Sequence, residues 1–179
     1  MAEEKKEPWL NYLALTTVIF AVCATLSTLK GGGFSTRSVI SQAQASDQWS
    51  YYQAKSIKGY IYDLQKDRLE LELRTTKAKV SSSVVSDYEK KIEAYKEKVE
   101  KYDQEKEDIK LKAEELEKRR DDAQTHSGIF GMAAMFLQIA ILLSSIAALM
   151  RKKFFWFLGI GAGCFGLMYF LNGFYLFMK

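Results

Sequence analysis

The sequence predicts an all-α membrane protein, with three transmembrane helices and a long antiparallel helical (coiled-coil) hairpin inserted between the first and the second. Three observations carry this. Trp9–Leu29, Ile129–Met150 and Phe154–Met178 contain no Asp, Glu, Lys, Arg or His, and each exceeds the ~20 residues a helix needs to cross ~30 Å of hydrocarbon. Residues 30–127 carry 20 Lys/Arg and 19 Asp/Glu, a composition too charged to close a globular core. The third is a three–four spacing of apolar residues inside that insert, the pattern of a helix seam.

In chain order, residues 1–8 form a short tail and 9–29 the first span. The flank Glu3–Glu7 has mixed charge, the apolar run exceeds that of a signal peptide, and no small-residue cleavage site precedes Lys30. The segment therefore reads as an uncleaved anchor. The second span (129–150) and third span (154–178) are joined by the wholly basic loop 151–153, Arg151-Lys152-Lys153. Short loops follow the positive-inside rule most strictly, so this loop is expected in the cytoplasm. The N-terminus then lies on the same side and residues 30–127 on the other. Lys30 and Arg37 balance Lys5 and Lys6 across the first span, so the loop decides the orientation.

The insert reads as two arms, about 38–74 and 86–127. Gly31-Gly32-Gly33 is expected to break or hinge the chain between the first span and the upstream arm. On that arm Ala54, Ile57, Ile61, Leu64, Arg68 and Leu71 form a stripe, and Trp49, Gln53, Ser56 and Tyr60 form a second on a neighbouring face. Thr75–Ser83 supplies the turn, because β-branched and serine residues weaken helix. Ser86 and Glu89 make a capping box that starts the downstream arm. Its seam runs Val85, Tyr88, Ile92, Tyr95, Val99, Tyr102, Lys106, Ile109, Ala113, Leu116, Arg120, Ala123. Lys106 and Arg120 lay their stems along the seam and keep their charges in water.

Charge excludes one class of function. The insert nets only +1 of the chain's +4, with both signs interleaved, so no nucleic acid partner is expected. Cys23 and Cys164 fall inside the spans and read as small buried residues, without disulfide or thiolate metal site. His126 with Asp121 and Asp122 is too thin for a metal and reads as a solvated interfacial histidine. Paired carboxylates such as Glu114-Glu115 lack the enclosed setting of acid–base catalysis. No catalytic, metal or cofactor residues are assigned, and the chain is not expected to be an enzyme.

Packing and interaction positions are more legible. In the third span Gly159, Gly163, Gly166 and Gly173 lie at four- and seven-residue spacings that let helices approach closely in lipid, and Ala14, Thr17, Ala21, Ala24 and Thr28 form a small-residue ridge on the first. Gln138, mid-span, needs hydrogen-bond partners on other helices. In the insert, Gln42, Gln44, Trp49 and Tyr52 belong to a stretch rich in amides and aromatics but poor in charge. A large amphipathic ring gains most when its body is buried, so Trp49 is expected at an intersubunit or partner surface.

The stretch SQAQASDQWSYYQAKSIK (41–58), after a span opening Trp9-Leu10-Asn11 and before two spans joined by a basic loop, resembles an uncharacterised bacterial three-span membrane-protein family defined only as a domain of unknown function. The likeness covers essentially the whole chain. It implies a bacterial envelope setting, here the inner (cytoplasmic) membrane with an extracytoplasmic hairpin, and brings no activity. The expected function is a membrane-anchored structural or interaction protein, a homo-oligomeric scaffold or accessory subunit, whose partners are the lipid bilayer, other copies of itself and a further protein. The alternative is a channel or transport component with a path through the oligomer.

Orientation is testable with single cysteines in a background lacking Cys23 and Cys164. A cysteine at Lys110 should react with an impermeant thiol reagent in intact spheroplasts, and one at Lys152 only after lysis. The reverse pattern would overturn the orientation.

Overall fold

The computed structural model describes residues 8–79 and 81–177. They form three helices and, among the described residues, no strand: α1 Trp9–Thr76, α2 Ser82–Met150 and α3 Lys153–Tyr175. Each contains a stretch long and apolar enough to cross a membrane.

Helix α1 passes through Gly31-Gly32-Gly33 without a break, against the hinge expected there. None of these glycines has a positive φ. Each costs about 1 kcal/mol relative to alanine in a helix interior, too little to open a helix held by neighbours. Gly31 is a contact point instead. A Cβ there would lie 3.2 Å from the Phe130 Cβ, and the Ser127 hydroxyl donates to the Gly31 carbonyl at 3.1 Å.

The turn between α1 and α2 is shorter than Thr75–Ser83. Helix α1 continues to Thr76 and α2 begins at Ser82, so the Ser86–Glu89 pair lies inside the helix rather than at its start; Val80 is outside the described residues. The serines before it take over the terminus. Val85 N–H donates to the Ser81 carbonyl at 3.2 Å, and the Ser81 and Ser83 hydroxyls lie 2.9 Å apart.

The basic loop closes tightly. Arg151 adopts a left-handed backbone with φ 51°, and Lys152 N–H reaches back to the Ala147 carbonyl at 3.3 Å. This six-to-one bond is the Schellman closure of a helix C-terminus. At the far end Leu176 has φ 49° and its N–H donates to the Asn172 carbonyl. Helix α3 therefore stops at Tyr175, short of the expected end at Met178, which lies outside the described residues.

The chain divides into a span unit, up to Ile40 and from Arg119 onward, and an insert unit, Ser41–Lys118. In the span unit α3 packs through its backbone, and its buried residues are Gly159, Gly163, Gly166, Asn172 and Gly173. A Cβ at Gly166 would lie 2.7 Å from Leu137, and one at Gly173 2.7 Å from the Phe130 ring. At Gly159 it would meet the Ala140 carbonyl at 3.1 Å and the Ser144 hydroxyl at 3.3 Å. Phe130, Leu137 and Ser144 are themselves seven residues apart and fully buried. Two seven-residue ladders thus face each other in opposite order, and each large or small knob of α2 meets a glycine of α3. Gly163 turns to α1, where a Cβ would overlap the Phe20 ring.

Apolar clusters fill the rest of this unit. Phe20, Ala24, Leu137 and Ala140 form one, flanked by Cys23, Ile141, Ala162 and Leu167. Trp9, Leu13 and Ala147 form another, against Phe155 and Trp156. There Trp156 Nε1 donates to the Thr16 hydroxyl at 3.2 Å, and Lys153 Nζ sits 5.9 Å from the Trp9 ring centre.

Gly163→Leu should therefore lower thermal stability in detergent, by about 1–3 kcal/mol for an overpacked contact. Gly161→Leu, two residues away with nothing within 4 Å, should be close to neutral. Equal melting temperatures for the two variants would show that α3 does not use its glycine face.

Candidate interaction surfaces

In the insert unit the α2 seam lies against α1. Val85, Tyr88, Ile92, Tyr95, Val99, Tyr102, Lys106 and Leu116 are half-buried, and Ile109 and Ala113 are buried. The contacts run in opposite order along the two helices. Tyr88 OH lies 3.5 Å from Glu72, Tyr62 stacks on Tyr102 with ring centres 5.8 Å apart, Lys55 pairs with Glu105, and Trp49 Nε1 donates to Glu117 at 2.9 Å.

The α1 face of this contact differs from the expected one. Ala54, Ile57, Ile61, Leu64, Arg68 and Leu71 are all exposed. The covered stripe is Ser41, Ala45, Gln48, Tyr52, Lys55, Gly59, Tyr62, Lys66, Leu69, Leu73 and Thr76, an unbroken four–three alternation of buried and half-buried positions. Two physical reasons explain why apolarity misses it. Ser41, Ala45 and Gly59 are chosen for closeness: a Cβ on Gly59 would already touch the Tyr102 Cβ at 3.6 Å. Lys55 and Lys66 lay apolar stems along the contact while their ammonium groups stay paired with Glu105 and Asp63. In the second expected stripe Trp49 and Ser56 are half-buried and Gln53 and Tyr60 exposed.

Lysines and tyrosines form the polar part of the contact. Lys55 Nζ lies 5.2 Å from the Tyr102 ring centre and 5.3 Å from that of Tyr51. Lys98 sits 4.6 Å over Tyr62, and Lys106 pairs with Asp103 at 2.7 Å beside Tyr60. The hydrogen bond with Glu105 raises the Lys55 pKa, and the same bond lowers that of Glu105. Asp103 raises Lys106, and Asp63 raises Lys66.

Within the Gln42–Tyr52 stretch the structure separates residues that the sequence groups. Gln42 and Gln44 are exposed, whereas Trp49 and Tyr52 are half-buried. Trp49 finds its acceptor, Glu117, and its aromatic neighbour, Tyr52 with ring centres 5.6 Å apart, within the chain. An intersubunit surface is not needed to shield it. What the insert leaves uncovered is the aliphatic stripe, with Ile57, Ile61, Leu64 and Leu71 between 49% and 72% exposed. Its three–four spacing was visible in the sequence.

In the span unit His126 is half-buried rather than solvated. Its ring stacks on Phe34, with centres 4.6 Å apart, and Nδ1 donates to the Gly173 carbonyl at 2.8 Å. It therefore ties the end of α3 to α1 and α2. No group of three or more His, Cys, Asp or Glu able to hold a metal occurs among the described residues. Gln138 is exposed on α2. It lines a groove of about 510 Å³ with Ala21, Ala24, Thr25, Thr28 and Leu29 of α1 and Ile141 of α2.

A family model described as "Domain of unknown function (DUF4337)" matches residues 9–176. No curated protein and no solved structure matches the chain.

The Lys55–Glu105 pair gives the insert a pH dependence. Glu105, with its pKa lowered below 4.5 on folding, stabilises above that value and loses the effect as pH falls through its folded pKa. Lys55, raised above 10.5, stabilises below that value and loses the effect as pH rises through its folded pKa. Glu105→Gln should thus lower the melting temperature at pH 7, and the gap from wild type should close in acid. A gap constant from pH 7 to pH 3 would show that the pair adds nothing.

Proposed function

The chain belongs to the DUF4337 family, and because that family brings no activity with it, we propose a function from the geometry: a membrane-anchored structural or interaction protein acting as a homo-oligomeric scaffold or accessory subunit, without catalysis. The observation that carries this reading is the uncovered stripe Ile57, Ile61, Leu64, Leu71 on α1. Burying an Ile or Leu side chain is worth about 1.5–3 kcal/mol, and four in helical register form a surface suited to another helix. The facing contacts of α1 and α2 support an antiparallel coiled-coil hairpin as the body that presents this stripe. The basic loop 151–153 supports a bacterial inner membrane orientation with the insert on the extracytoplasmic side.

A path through the oligomer is the second reading. It is favoured by Gln138, Thr25 and Thr28, which line one polar strip on the outside of the span unit and would line a lumen if copies turned it inward. Conductance of the purified oligomer in a planar bilayer would select it.

The leading reading is tested with Ile61→Lys and Leu64→Lys together. Wild-type protein in mild detergent should have the mass of several copies. The double variant should lose copies while keeping its helical circular dichroism. A variant of unchanged mass would remove the stripe from assembly, and a monomeric wild type would remove the homo-oligomer.

A further inference from the structure

Gln138 is placed where its own chain leaves it unserved. It sits at the middle of the Ile129–Met150 run and is exposed on α2. Among the described residues its side-chain amide makes no hydrogen bond. Hydrocarbon offers an amide no donor and no acceptor, so a mid-span glutamine facing lipid is strongly disfavoured unless something polar covers it. The groove beside it has the shape of a helix seat. Its α1 wall is made mainly of Ala21, Ala24, Thr25 and Thr28, and small residues are what allow helix backbones to approach in lipid. Thr25 and Thr28 already donate to the Ala21 and Ala24 carbonyls at 2.9 and 3.0 Å. The amide is therefore the polar group of this groove whose donors are unspent.

We propose that this face is an intramembrane self-association site, in which Gln138 of a second copy lies opposite Gln138 and the two amides exchange hydrogen bonds across a two-fold axis. The chemistry selects a second copy over other occupants. A primary amide carries both donor and acceptor, so it is its own complement. Two copies inserted the same way place their Gln138 residues at one depth in the bilayer, the condition an isologous contact requires. The spans hold no Asp, Glu, Lys, Arg or His, so no charged partner from another copy competes for the amide. This inference rests on the homo-oligomeric reading and assigns its membrane contact, separate from the aliphatic stripe of the insert.

The experiment uses the full chain in lipid bilayers, with association followed by single-molecule photobleaching across protein-to-lipid ratios. Gln138→Leu should weaken dimerisation about tenfold, the scale of two interhelical hydrogen bonds in lipid, while helicity stays unchanged. Gln138→Asn, which keeps the amide, should retain most of the association. Leu142→Cys, one turn along the same face and 63% exposed, should crosslink between copies with a short bis-thiol reagent when Cys23 and Cys164 are replaced, and the crosslink should fade in Gln138→Leu. Association undiminished in Gln138→Leu overturns the proposal, as does a Leu142→Cys protein that associates without crosslinking. The two readings fail differently. A wild type monomeric at every ratio defeats the oligomer itself. A Gln138→Leu oligomer that persists until Ile61 and Leu64 are also replaced defeats only the membrane contact.

Discussion

The span unit depends on the absence of side chains along one face of α3. Lipid tails are as apolar as leucine, so burial alone does not drive helices together in a bilayer, and close packing must do so. Helix α3 meets this condition with glycine at 159, 166 and 173 toward α2 and at 163 toward α1. Phe130 and Leu137 fill the space the glycines vacate, and Phe20 does so from the other side. At the third rung Ser144 takes the place of a large knob. Its hydroxyl is buried without a hydrogen-bond partner among the described residues. Smallness there outweighs the penalty of an unpaired hydroxyl, about 1–3 kcal/mol, because the Ala140 carbonyl and Gly159 already stand so close. His126 then fixes the far end of α3 by holding the Gly173 carbonyl.

The insert unit solves a different problem in water. Its α1–α2 contact sets small residues, tyrosine rings and lysine stems beside aliphatics such as Leu69, Leu73 and Ile109, while four large aliphatics on α1 stay outside. The contact also gains from cation–π pairs, worth about 0.5–1 kcal/mol each when exposed, and from directional bonds such as Trp49 to Glu117. A contact built the other way round, with Ile57, Ile61, Leu64 and Leu71 inside, would instead expose the tyrosines and small residues of the stripe that is now covered.

The three apolar stretches were legible because hydrocarbon imposes a length and a composition that the chain cannot disguise; that the first two run on into 68- and 69-residue helices was not read. The α2 seam was legible for a similar reason: Tyr88 to Leu116 alternate by three and four amid charge. The glycines of α3 were visible as spacings, but nothing in the spacing said that Phe130, Leu137 and Ser144 would stand opposite. That correspondence belongs to the loop closure at Arg151, which sets the register. The α1 stripe was misread because apolarity was taken as the mark of the packed face, whereas Ser41, Ala45 and Gly59 pack through smallness. The triple glycine was misread as a hinge because local propensity was weighed without Phe130, which packs onto Gly31. Trp49 was expected at an intersubunit or partner surface, and the sequence had no means of showing that Glu117, 68 residues away, accepts from its indole within the chain.

Two surfaces of the protein are each mismatched to their own solvent. On the membrane-anchored reading proposed above, Gln138 is an amide facing hydrocarbon, and Ile57, Ile61, Leu64 and Leu71 are hydrocarbon facing water. Neither mismatch is relieved among the described residues of the chain. The forces that would cover them differ. Amide pairing in lipid is electrostatic and strengthened by the low dielectric, whereas burial of the stripe is entropic near room temperature and fades on cooling. An assembly using both would therefore loosen unevenly in the cold, with the insert contact weakening first and the membrane contact persisting. A protein with one mismatch would be explained by a single tolerated defect. Two mismatches of opposite polarity, one in the apolar span and one on the insert, fit the proposed reading of a chain that meets other helices in both phases.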